Sequence, residues 1–168
     1  MDDRVARAIA QWRIERPDLD VGPHGIIGRL RLLSDRLRDE FSAEQVHHGL
    51  DDGEFDVLAT LRRAGDPYEL APGELARHTQ VSMGVMSRLL DRLVEAGLVA
   101  WSGPTDARRD QVIGLTQAGH SVVDEVFTAH VTHEHRLVAA LKPRERIELE
   151  RLLTVWLAAL EHPEISED

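Results

Sequence analysis

The 168-residue sequence contains no cysteine. Disulfides, cysteine redox sensing and thiolate metal sites are therefore excluded. Lysine is nearly missing too: Lys142 is the single lysine among 20 cationic residues, which reads as GC-rich codon usage rather than selection for phosphate binding. Aromatics make up only 4% of the chain, while alanine, leucine, valine and arginine dominate, a composition that favours helices. No apolar run approaches the roughly 18 residues that a bilayer crossing requires. The N-terminal stretch MDDRVARAIAQW carries neither a signal-peptide apolar region nor a cleavage site. These absences predict a cytoplasmic protein with no membrane partner.

What is present suffices for a core. A hydrophobic fraction of 42% argues against global disorder, and the length suits one domain or one compact subunit with appended helices. The net charge is −10, which opposes nonspecific polyanion binding by the whole surface. Its distribution is uneven. Between Glu74 and Thr116, five arginines (77, 88, 92, 108, 109) balance five acids (74, 91, 95, 106, 110). That window is neutral, and the remainder carries the whole acidic excess.

Helical periodicity recurs along most of the chain. Residues 3–16 place Val5, Ala8, Ile9 and Trp12 on one face, and Pro17 stops the helix. Between 23 and 46, Ile26, Leu30, Leu33, Leu37 and Phe41 recur at threes and fours. Asp51 can then cap a third helix, with Glu54 three residues on and Gly65 at its end. Pro72 opens a short helix, the linker TQV follows, and Ser82 can cap another that Gly97 closes. Two short helices joined this tightly form a helix-turn-helix pattern. LVAWS and QVIGLT read as strands flanking GPTDARRD, so a hairpin follows and the combination is a winged helix.

Two long helices finish the chain. Val123, Val126, His130, His133, Leu137 and Ala140 keep the spacing of a packed seam; Pro143 opens the last helix, where Leu149, Leu152, Leu153, Trp156 and Leu160 form a wide apolar face. The fold class is mainly α with a small β-wing. The expected divisions are N-terminal helices over 1–48, a winged helix-turn-helix over 49–116, dimerisation helices over 117–162 and a tail over 163–168. Apolar helix faces flanking so small a reader are economically buried against a second copy, which predicts a homodimer.

The ordered set PGELARHTQVSMGVMSRLLDRLVEAGLV, DARR, VIGLTQAG and LKPRERIELERLL resembles the MarR family of bacterial transcriptional regulators, over roughly residues 25 to 160. The resemblance implies a dimeric winged helix that binds pseudo-palindromic double-stranded DNA and is released by a small ligand, a metal or oxidation. Ala71 departs from the family's usual capping Ser or Thr at the first short helix. On this reading the residues from Ser82 through Arg88 enter the major groove. Ser82, Met83 and Ser87 reach bases or phosphates there, Met83, Val85 and Met86 can touch thymine methyls unless they are core, and Arg92 on the same helix is a further DNA-contact candidate. Arg88 suits bidentate guanine contact, a phosphate contact or an ion pair with Asp91. Arg108 and Arg109 fit a wing tip entering the minor groove; the alternative is a solvated turn neutralised by Asp106 and Asp110.

The extra N-terminal helix with Trp12, followed by ERPDLD, narrows the resemblance to the urate-responsive, PecS-like branch. That branch builds a ligand site from a Trp on the first helix, an Asp early in the third, an Arg on the recognition helix and an Arg just beyond. Trp12 and Asp56 match, whereas Leu89 and Trp101 stand at the arginine positions; Trp12, Asp56 and Trp101 are the candidate ligand residues. Both cations that would hold an anionic purine are absent, which leaves an aromatic or less anionic effector as the candidate occupant. Trp12 equally suits a dimer core, and Asp56 an ion pair with a neighbouring arginine. No cofactor is required.

Nine histidines supply a second switch candidate, a zinc site. His130 and His133 share a helical face, His47 or His48 could add a third imidazole, and Glu134 or Asp56 an oxygen; seam histidines also simply hydrogen-bond across interfaces. Zinc-sensing members of the family use histidine-rich runs in the corresponding helix. An enzyme is not expected: THEH is not the HExxH pattern, and no nucleophile elbow or phosphate loop occurs. The expectation is a ligand-responsive repressor, with a protein-binding winged helix as the contrasting class.

Overall fold

The computed structural model describes residues 3–103 and 111–161, without the side chains of residues 44–47. The chain divides into two compact units, Met1–Val126 and Phe127–Asp168.

In the first unit, α1 (Arg4–Glu15) is capped by Asp3, whose Oδ1 accepts from Ala6 N at 2.7 Å. It packs on α2 (His24–His47) where Val5 meets Gly28; a Cβ at Gly28 would stand 3.0 Å from Val5 Cγ1. Arg29 of α2 donates to the other oxygen of Asp3 at 2.9 Å, so one carboxylate caps α1 and ties the two helices together. α3 (Asp52–Ala64) begins with the capping box anticipated from Asp51 and Glu54 and buries Phe55, Val57, Leu58 and Leu61.

The reader follows. β1 (Glu69–Leu70) leads into α4 (Pro72–His78), then α5 (Met83–Glu95), β2 (Val99–Ser102) and β3 (Val112–Leu115). The sheet order is β1-β3-β2, antiparallel throughout, with Glu69 opposite Gly114 and Ser102 opposite Val112. Sequence periodicity missed β1, because two residues are too few to show alternation. It is held by pairing with β3 and by Ser102 Oγ donating to Glu69 Oε1 at 2.8 Å. Leu58, Leu61, Leu75, Met86, Leu90, Leu93, Val99 and Ile113 form one core from helices and sheet.

Local caps work as the residues dictate, with one exception. At the start of α4, Ala71 offers no side-chain acceptor, so only half a capping box exists: Glu74 Oε2 accepts from Ala71 N at 3.4 Å. In the turn between α4 and α5, Gln80 adopts φ 56°, a left-handed conformation in which a Cβ crowds the backbone. Gln80→Gly removes that crowding but adds chain entropy to the unfolded state, so a net gain of about 0.5 kcal/mol is expected. Urea unfolding should show a higher midpoint with an unchanged slope.

α6 (Gln117–Leu137) begins in the first unit, where Val123 and Val126 are buried. In the second unit its α-geometry ends at Leu137, and Val138–Ala140 form a 3₁₀ turn. Ala140 therefore does not extend the helical seam as the spacing suggested; the chain tightens and then extends at Leu141 ahead of the break that Pro143 imposes. α7 (Pro143–Glu161) buries none of its residues. Among the described residues no helix is long and apolar enough to cross a membrane.

Candidate nucleic-acid interface

α5 is built to present one face and bury the other. Ser82 caps it, its Oγ accepting from Val85 N at 3.3 Å. At the far end Gly97 takes φ 71° and Leu98 N donates to Leu93 O, a glycine-terminated stop. Met86, Leu89, Leu90 and Leu93 are buried, and that stripe fixes which residues look outward. Ser82, Met83, Gly84, Ser87 and Arg88 are exposed, with 83 and 87, and 84 and 88, one turn apart.

Met86 needs correction as a DNA-contact candidate. Its exposure is 0%, so it packs in the core and cannot touch a thymine methyl. Met83, at 54% exposure, keeps that possibility. Arg88 has no carboxylate partner among the described residues, so the ion pair with Asp91 that sequence left open is not formed. Its guanidinium is available to an outside acceptor.

Arg92 is a different case. It donates from Nε to Glu54 Oε1 at 2.7 Å and from Nη2 to Asp51 Oδ2. Both acceptors belong to the capping box of α3, and the pairing raises the Arg92 pKa above its ordinary value. The sequence suggested a DNA contact; in the structure the side chain is paired to the start of α3. For Glu54, burial pushes its pKa up, but the hydrogen bonds from Arg92 and Asp51 N, with the Arg92 charge, outweigh it and leave the carboxyl lowered. A lowered carboxyl contributes stability above its ordinary value of 4.5 and loses it as pH falls through the folded value.

The wing strands carry the rest. Trp101 on β2 is 44% exposed and stands opposite Ile113. Arg108 and Arg109 lie outside the described residues, in the segment joining the paired strand ends Ser102 and Val112.

The effector candidates separate. Trp12, 52% exposed, lines a cleft of about 480 Å³ with Arg16, Leu19, Asp20, His24 and Ile27. Arg16, one of the lining residues, is paired with Asp18 at 2.6 Å. Asp56, exposed on α3, and Trp101 do not line this cleft. In the second unit His130 Nε2 lies 3.4 Å from Glu134 Oε1 and the ring stacks near Phe127. Among the described residues no three histidine, aspartate or glutamate side chains gather to hold a metal ion. The side chain of His47 lies outside the described residues, and His48 and His133 are not drawn into such a group.

A core-anchored second helix with an exposed polar face, joined to a three-stranded antiparallel sheet, defines a winged helix-turn-helix. Residues 48–109 match the MarR family model. Over 152 residues the chain is 36% identical to the HTH-type transcriptional regulator PecS of Dickeya dadantii, covering 89% of this chain and 90% of that one. It is similar in structure to a mutant MarR from E. coli complexed with operator DNA, with a TM-score of 0.66 and 25% identity over 78% of this chain and 93% of that one. The fold alone is shared with Bordetella bronchiseptica BpsR, whose DNA binding is regulated by 6-hydroxynicotinic acid: TM-score 0.68, 23% identity, 78% and 97% coverage. The chain belongs to the MarR family. It is a transcriptional regulator that binds DNA, not an enzyme.

Proposed function

We propose that the protein is a cytoplasmic, homodimeric, ligand-responsive repressor that reads a pseudo-palindromic operator. The observation that carries the reading role is the exposed α5 face of Ser82, Met83, Ser87 and an uncommitted Arg88, backed by a fully buried stripe. In this reading residues 49–116 are the reader, and residues 1–48 and 117–162 supply the dimer helices. Arg108 and Arg109 occupy the minor groove from the wing.

Dimerisation is supported by α7, whose Leu149, Leu152, Leu153, Leu157 and Leu160 all stand 39% or more exposed in the single chain. A helix of this composition is stable in water only when that face is covered. Leu153→Glu would place a charge in the covered face at a cost of about 3 kcal/mol, weakening the dimer more than a hundredfold. Sedimentation velocity at micromolar concentration should then show monomer in place of dimer.

The Trp12 cleft supports an effector of aromatic character, with the indole as stacking wall and Arg16 in the lining. The notional partners Asp56 and Trp101 enter only if the second copy or a movement brings them to the ligand. Trp12→Ala should abolish the response to such an effector while leaving effector-free DNA affinity unchanged; a preserved response would remove Trp12 from the site. The regulator reading is tested by fluorescence anisotropy with the DNA upstream of the gene, at two salt concentrations. Salt-sensitive binding well above that of a random duplex is expected. Equal binding to both duplexes would contradict operator recognition there.

A further inference from the structure

Asp51, Asp52, Gly53 and Glu54 join the start of α3 to two other helices. Asp52 Oδ2 accepts from Ser42 Oγ of α2 at 2.7 Å. Gly53 lies so close to α5 that a Cβ there would stand 2.9 Å from Leu89 Cδ2. One turn further along α5, Arg92 reaches Glu54 and Asp51. Each carboxylate divides its oxygens: Asp51 Oδ1 accepts from Glu54 N at 2.8 Å and Glu54 Oε2 from Asp51 N at 2.9 Å, leaving one oxygen of each for the guanidinium.

Exposed ion pairs contribute little when two flexible chains must be ordered to meet. Here both carboxylates are already ordered by capping the helix, and a planar guanidinium spans them without further freezing of the acceptors. The Gly53–Leu89 contact sets the distance between α3 and α5. The Arg92 contact, one turn away, is a second tie between the same two helices, added to the buried stripe that fixes which residues look outward.

We infer that Arg92 is a positioning residue for sequence reading: it touches no DNA and, through Asp51 and Glu54, fixes the angle at which α5 presents Ser82, Ser87 and Arg88 to base edges. The inference rests on α5 being the helix that enters the groove. Hydrogen bonds to base edges, bidentate in the case of an arginine on guanine, fail with small misalignment, whereas phosphate contacts tolerate it. Loss of Arg92 therefore falls on specific binding and spares nonspecific binding.

The test compares wild type, Arg92→Ala and Glu54→Gln on two duplexes: one enriched by the wild-type protein from a random-sequence pool, and one unselected. Anisotropy titrations across a salt series give affinity and salt slope for each, at a temperature where circular dichroism shows every variant folded. Glu54→Gln keeps the backbone cap, removes the charge facing Arg92, and carries the test alone should Arg92→Ala not fold. Both variants should bind the selected duplex about tenfold more weakly, the size of one lost base contact. Binding to the unselected duplex and the salt slope should not change. Unchanged affinity for the selected duplex overturns the inference. A parallel fall on both duplexes also overturns it, and a slope smaller by about one in Arg92→Ala would mark a phosphate contact instead. If the wild type enriches no duplex, the operator-reading proposal fails first, and the two failures are distinguishable.

Discussion

Replacing Arg108 and Arg109 together by alanine should weaken DNA binding about a hundredfold at moderate salt, if each arginine is worth roughly a tenfold contact. The log-log dependence of affinity on salt should flatten by about two, one released counterion equivalent per cation. Charge gives the reason. A chain with net charge −10 has a neutral window at residues 74–116, and two of the five arginines in it stand side by side in this one segment. Ser102 and Val112, which flank that segment in the sequence, are paired strand ends of β2 and β3. A narrow minor groove concentrates negative potential, so adjacent guanidinium groups gain more there than on an ordinary phosphate track. A double variant that binds with wild-type affinity and slope would show instead that Asp106 and Asp110 neutralise the pair and that the wing is a solvated turn.

The second large effect concerns stability and runs against helix propensity. Gly119 stands in the first turn of α6, where alanine would ordinarily gain about 1 kcal/mol. A Cβ on Gly119 would lie 2.0 Å from Leu98 O, a backbone atom, and 3.2 Å from Leu115 Cδ2. Leu98 cannot retreat freely. Its carbonyl accepts from Thr116 N at 3.1 Å, and Thr116 Oγ1 also donates to Gly97 O at 2.7 Å while accepting from Gly119 N at 3.0 Å. Overpacking against backbone costs about 3 kcal/mol, so steric repulsion wins and Gly119→Ala should destabilise by about 2 kcal/mol. For a chain of this size the melting temperature should drop by about 4–8 °C. Protein concentration must be held fixed, since the proposed dimer would melt in a concentration-dependent way. An unchanged or higher Tm would show that the α6 start has room to move away from the end of α5.

These two predictions mark what was legible in the sequence and what was not. Caps and stops could be read because they are chemically local: Asp51 with Glu54, Ser82, Gly65 and Gly97 each act within a few residues of themselves. The buried stripe of α5 was legible as periodicity, yet Met86 could be separated from Met83 only by the position of the core, which depends on the sheet and on α3. The ion pairs of Arg92 were hidden for a related reason. Its partners lie about forty residues earlier, and a capping box announces two backbone hydrogen bonds without saying where its remaining oxygens point. β1 was too short to show a pattern, and the closeness of Gly119 to Leu98 exists only once β3 and α6 have folded back on the end of α5. The metal and effector candidates suffered from the same limit: His130 and His133 share a face, and Trp12 lines a cleft, but a shared face does not name a third ligand or a guest.

The most direct test of the account is selection from a random-sequence duplex pool by the purified protein, followed by sequencing of the enriched DNA. Two α5 helices related by a two-fold axis should enrich an inverted repeat whose half-site centres lie about one turn, roughly 34 Å, apart. Arg88→Ala should relax the preference at one base position in each half-site. Enrichment of a single unrepeated motif would contradict the dimeric reader, and no enrichment at all would contradict sequence-specific reading by α5.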